Sequence, residues 1–207
     1  MEVPSPQSEA GFGLIELLIS MVILQIALLA LVGAFGAGAV ALGRAGIVNT
    51  AAVLADTQME LYRSMPYDAI GLDTASAPTT GMYVADTVAC PASQTPVCAN
   101  TDPRNNAVPN TATWSCTAQN GATSVVTYFS ANGINPCLAH RPVSGTASPD
   151  GKTYYVDTYI AWATAASQRA AKTVSVLVRN SAGTMVLARV ITAFDCSTGQ
   201  PPNASAC

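Results

Sequence analysis

The sequence predicts an α+β protein: a long N-terminal α-helix, transmembrane in its outer half and amphipathic in its second half, packed on an antiparallel β-sheet head. Three observations predict it. Between Glu16 and Arg44 lie 27 residues without a charge, interrupted only by the polar Ser20 and Gln25. No proline occurs between Pro6 and Pro66, so a helix from about Phe12 to Met65 meets no breaker before its stop. Late in the chain the pattern changes to period two, with Tyr154, Val156, Thr158, Ile160 and Trp162 alternating against Tyr155, Asp157 and Tyr159.

Composition narrows the class. Half of the 207 residues are hydrophobic and only 10% are charged, with a formal net charge of −3. Ordinary soluble domains carry about 25% charged residues. This balance excludes an intrinsically disordered chain, and a pI near 4.9 argues against a general nucleic-acid coat. The apolar excess sits at the N-terminus. Phe12–Gly43 would span ~48 Å as helix, more than the ~30 Å a bilayer core requires. A simple anchor does not need that length, whereas a helix later buried among copies of itself does. A cleaved secretory signal fits poorly, because Met1–Gly11 holds no Lys or Arg. Gly33, Gly36, Gly38 and Gly43 each cost roughly 0.8–1.0 kcal/mol of helix propensity, and in exchange allow close helix approach or local unwinding. Beyond Arg44, Ile47, Ala51, Leu54, Leu61 and Met65 form an apolar stripe, broadened by Val48, Ala55, Met59 and Tyr62. Asp56 and the Glu60–Arg63 pair lie opposite, so the stripe reads as core and not as a cofactor box.

The helix entrance carries the chemistry. A polar leader ends at Gly11, Phe12 follows, and the carboxylate of Glu16 stands five residues into the apolar run. Cleavage after Gly11 would give Phe12 a positive α-amino group ~6 Å along the helix from Glu16, within one chain or between neighbours. The plainer alternative is a Glu that snorkels to the headgroups. Gly11-Phe12-Gly13-Leu14-Ile15-Glu16-Leu17-Leu18 resembles the processing site of type IV prepilins and pseudopilins. That resemblance implies a type IV pilin fold, cleavage after Gly11 by a prepilin peptidase, N-methylation of Phe12, and Glu16 as the assembly carboxylate. It departs in having Glu2 and Glu9 in a leader that is commonly basic, and Gly13 in place of a small hydroxyl residue.

In the head, Met82–Val88, Thr111–Ala118 and Ser124–Ser130 are short strand candidates. Thr153–Thr164, Lys172–Asn180 and Thr184–Phe194 form an antiparallel meander with a turn at Asn180–Gly183, its apolar face covered by the second half of the helix. This meander is similar to that of minor (PilV-type) prepilins. Residues 73–151 have no such counterpart.

Cys90, Cys98, Cys116, Cys137, Cys196 and Cys207 all follow the membrane segment, as disulfides formed outside the cytoplasm would. Local stapling favours Cys90–Cys98, Cys116–Cys137 and Cys196–Cys207 among 15 connectivities. The last pair resembles the closed C-terminal loop of many pilins. A zinc site lacks C-x₂-C spacing, and no metal or other cofactor is expected. No catalytic residue is assigned: there is no nucleophile elbow, phosphate loop or H-E-x-x-H, and His140 reads as a surface residue in a loop. Asn203-Ala204-Ser205 matches a glycosylation sequon. Arg141–Arg189 carries six positive and two negative charges. They read as solvated strand-edge charges, with DNA contact as the alternative.

These readings divide the chain into a leader (1–11), an assembly helix (12–43), an amphipathic half and connection (44–72) and a disulfide-stapled head (73–207). They describe a non-enzymatic filament subunit, held in the inner membrane with its head outside the cytoplasm and later exported in a pilus. The partners implied are other pilin subunits, the prepilin peptidase, an inner-membrane assembly platform, lipid, and a surface or DNA ligand. A type II secretion pseudopilin, an adhesive tip pilin using residues 73–151, and a membrane-anchored envelope enzyme are the alternatives.

Overall fold

The computed structural model describes residues 13–73, 76–78, 81–83, 86, 88–89, 114–115, 123–124, 135–163 and 171–195. Helix α1 runs unbroken over Leu14–Ser64. The Gly13 carbonyl accepts its first bonds from the Glu16 and Leu17 amides at 3.0 and 3.3 Å. Glu16 in the first turn and Arg63 in the last both complement the helix dipole. The chain leaves the helix at Met65 and enters a short 3₁₀ turn, Tyr67–Ala69, behind Pro66, the stop that proline sterics predict.

The chain divides into two compact units, residues Met1–Gly46 and Ile47–Cys207. In the first unit every described residue is solvent-exposed. In the second, α1 contributes Ala51, Leu54, Ala55, Met59 and Tyr62 to one core with a four-stranded antiparallel sheet. Its strands are β3 (His140–Val143), β4 (Tyr154–Ala163), β5 (Ala171–Arg179) and β6 (Val186–Asp195), in the order β3-β4-β5-β6. β1 (Trp114–Ser115) and β2 (Thr123–Ser124) form a separate two-residue parallel pair. The β5–β6 turn is the expected one. Gly183 adopts a φ of +68°, and the Asn180 side-chain oxygen accepts the Thr184 and Met185 amides at 2.9 and 3.2 Å.

The fold corrects four expectations. The sheet has four strands, because His140–Val143 pairs with β4 in the register His140↔Asp157. Pro142 hid this strand, yet proline is tolerated on an edge. Met82, Tyr83, Val88 and Ala89 lie in turns, so the described residues of the candidate Met82–Val88 form no strand. The predicted stripe is buried at Ala51, Leu54, Ala55, Met59, Tyr62 and Met65, but the buried face takes in the polar Thr50 and Gln58 and leaves Val48 48% exposed. Finally, both faces of the sheet are covered. Val156, Ile160, Val174, Val176 and Val178 line the core that includes α1, yet Asp157, Tyr159, Leu177 and Arg179 on the other face are also buried.

Met59→Ala should destabilise the head by about 2–5 kcal/mol, and Val53→Ala, at a 47% exposed position, by less than about 0.5 kcal/mol. Thermal unfolding followed by circular dichroism measures both. Equal losses would contradict this buried face.

Candidate assembly helix and head clamp

The first unit is a helix with no internal partner for its side chains. One 18-residue window of α1 reaches a mean hydropathy of 2.6 with none of it buried. Its large apolar residues, Leu14 through Leu42, stand exposed on every side. Ser20 turns its hydroxyl back onto the Glu16 carbonyl at 2.7 Å, removing one polar demand from the surface. The Glu16 carboxylate has no ion-pair partner among the described residues. A Cβ added at Gly33, Gly36, Gly38 or Gly43 would meet nothing within 4 Å. Nothing among the described residues therefore requires glycine there, and α1 continues through them unbroken. An all-apolar helix of this kind needs lipid or other helices around it. Gly11 and Phe12 lie outside the described residues.

In the head, a buried ion network fastens Met82, Asp86, Val88 and Ala89 over the second face of the sheet. Asp157 accepts Arg179 Nε at 2.7 Å and meets His140 Nδ1 at 2.6 Å. Arg179 reaches on through Nη2 to Asp86 at 3.0 Å and to the Met82 carbonyl at 3.1 Å. Asp86 also receives Arg189 Nη2 on both oxygens, and its Oδ1 accepts the Val88 and Ala89 amides. Tyr83 stacks on Tyr159 with ring centroids 4.2 Å apart. Their hydroxyls donate to the Thr158 and Tyr83 carbonyls at 2.8 and 2.6 Å. Burial pushes both phenols far above the ordinary tyrosine range. Burial also works to raise Asp86, but the Ala89 amide and then Arg189 and Arg179 outweigh it and hold the carboxyl below its usual value.

A second buried cation holds the chain after α1. Lys172 Nζ donates to the Tyr67 and Ile70 carbonyls at 2.8 and 2.7 Å and lies 4.5 Å over the Tyr67 ring. Burial lowers it to about 8, with Asp68 opposing that shift.

These contacts overturn two surface readings. His140 is on strand β3, its side chain 35% exposed, bonded to Asp157 and stacked on Tyr155. Four of the five described cations of the basic run are engaged inside the head, and Lys152 is exposed. Lys172 and Arg179 are buried, Arg189 is tied to Asp86, and Arg141 donates to Gln58 at 3.1 Å.

Of the cysteines, Cys137 is described, buried and disulfide-bonded. Its partner, like the whole pairing scheme of Cys90, Cys98, Cys116, Cys196 and Cys207, lies outside the described residues. The Cys137 carbonyl accepts the Asp73 amide at 2.8 Å, and the adjacent Pro136 carbonyl accepts the Tyr62 hydroxyl. Residues 73 and 135–139 thus meet, closing the long insertion between them at its base. Among the described residues, no three His, Cys, Asp or Glu side chains converge to hold a metal.

A family model for the prokaryotic N-terminal methylation motif matches residues 6–37. Comparisons with curated proteins and with solved structures return no match.

Asp86→Asn should cost about 3–5 kcal/mol, the usual loss on breaking a buried ion pair. Asp86 is held below its unfolded value, so its contribution is present above pH ~4 and disappears as acid titrates the folded carboxyl. The variant should therefore show a flatter acid limb in urea melts. Lys172 follows the same sign in a higher window: its folded value lies below its unfolded one, so stability should rise from about pH 8 towards pH 10. Lys172→Met should remove that rise, and an unchanged profile would contradict the buried ammonium.

Proposed function

We propose, on the premise that this chain is a type IV prepilin-like protein, that it is a structural subunit of a type IV pilus or pilin-like filament. The observation that carries the reading is the coincidence of the methylation motif at residues 6–37 with a helix exposed on all sides over Leu14–Gly46. In this reading a prepilin peptidase cuts after Gly11 and methylates the Phe12 amine. Phe12–Gly43 then stores the chain in the inner membrane until the assembly platform draws it into a bundle of like helices. There Glu16 meets the Phe12 amine of a neighbouring subunit, two charges that low dielectric would penalise separately. Gly33, Gly36 and Gly38 permit close helix approach or local unwinding as the bundle forms.

The disulfide at Cys137 supports a head outside the cytoplasm, where thiols oxidise. The finer reading is a minor subunit, whose insertion between Asp73 and Asn135 supplies surface for adhesion or DNA contact. A secretion pseudopilin shares every N-terminal feature, and the presence of the chain in filaments sheared from the cell surface separates the two. The methylation motif at residues 6–37 favours a structural over an enzymatic role.

Glu16→Gln should leave leader cleavage intact while lowering filament incorporation by about ten-fold or more, the effect of losing one ion pair in a low-dielectric setting. Immunoblots of membrane and sheared-filament fractions read both steps. Normal incorporation of the variant would remove Glu16 from the mechanism.

A further inference from the structure

The two edges of the head sheet are built differently. The β3 edge is four residues long and carries Pro142, both of which discourage a further strand. The β6 edge is ten residues long, Val186–Asp195, with neither proline nor lysine in it. It ends the strand order, and among the described residues no further strand pairs with its outer side. Ile191 is 50% exposed and Ala193 is exposed beside it. A long apolar edge of this kind is a template for another strand.

The sequence of the edge specifies which strand fits. β6 has two charged residues, Arg189 and Asp195. If two copies of β6 run antiparallel about a two-fold axis at Thr192, Arg189 of each stands directly opposite Asp195 of the other. The same register sets Ile191 opposite Ala193 and Val190 opposite Phe194. Directly opposed side chains share a sheet face, so both charge pairs flank the exposed Ile191–Ala193 patch. One further observation agrees. A cavity of about 300 Å³, lined by Thr192–Asp195 together with Met65, Tyr67 and Ile70, lies against Phe194, the position that the partner's Val190 would adjoin.

We propose that two copies of this chain pair through β6, antiparallel about Thr192, so that two four-stranded sheets join edge to edge. The contact is isologous, as a two-fold interface requires, and it does not depend on the filament reading: it belongs to the head alone. One strand against one strand is a small interface, so pairing is concentration-dependent.

Hydrogen exchange with mass spectrometry on the full chain in detergent micelles localises the contact, while light scattering reports association of the whole molecule. Backbone amides of Val186–Asp195 should gain protection as concentration rises. Ile191→Lys should weaken that association about ten-fold with the circular dichroism spectrum unchanged. Adding Ala193→Glu to Ile191→Lys places opposite charges across the register and should restore association. The proposal is overturned by wild-type β6 amides that exchange independently of concentration, by an Ile191→Lys chain that associates as before, or by a folded double variant no better than the single.

Discussion

The solvent demanded by α1 constrains everything else in this protein. Over Leu14–Gly46 the helix satisfies its own backbone and exposes apolar side chains around its whole circumference. Such a surface is stable in lipid or among similar helices, and not in water. From Ile47 onward the same helix changes character, and the sheet buries its Ala51–Tyr62 face. One continuous hydrogen-bonded element therefore serves two environments. Proline is absent throughout it, and the punctuation is left to Gly33, Gly36, Gly38 and Gly43. These weaken helix propensity but keep every backbone donor.

Among the described residues, the buried carboxylates of the head pair with its arginines. Asp86 and Asp157 face Arg179 and Arg189, with His140 against Asp157, so the buried network is balanced in sign. Replacing such a network by apolar side chains is often neutral or stabilising, so its presence is weak evidence for added stability. Its geometric consequence is clearer. Met82, Tyr83, Asp86, Val88 and Ala89 belong to no strand, and the guanidinium bonds fix Met82 and Asp86 at one place on β5 and β6. The Tyr83–Tyr159 stack and its reciprocal carbonyl bonds exclude water above them. Lys172 does comparable work at the end of α1, where the Tyr67 carbonyl, which also accepts the Ile70 amide, and the Ile70 carbonyl receive its ammonium.

The elements with strong local signals were legible in the sequence. The proline-free run gave α1 to within two residues at its start and one at its end, and valine alternation gave β5 with its turn at Asn180–Gly183. The motif around Gly11, Phe12 and Glu16 was legible because leader, aromatic and carboxylate fall at a polar–apolar boundary. β3 was not, because Pro142 is a breaker except on an edge, and edge position is a tertiary fact. The second covered face was hidden for a related reason. Tyr155, Asp157 and Tyr159 alternate as a solvated face would, and only the arrival of Tyr83 and Asp86 from about 75 residues away buries Asp157 and Tyr159. Arg179 and Lys172 were misread with them, since a sequence gives the sign of a charge but not its partner. The unequal charge in Arg141–Arg189 is offset partly by Asp86, which lies outside that window.

The most direct test of the central claim is the N-terminus of the mature chain, read by mass spectrometry on protein taken from membranes and from sheared surface filaments. A subunit processed as this account requires begins at Phe12, carries a single methyl group on its α-amine and retains the entire apolar helix in both fractions. A mature chain beginning near Ala37–Ala39 would contradict it, because ordinary secretion would then have removed the helix on which assembly depends.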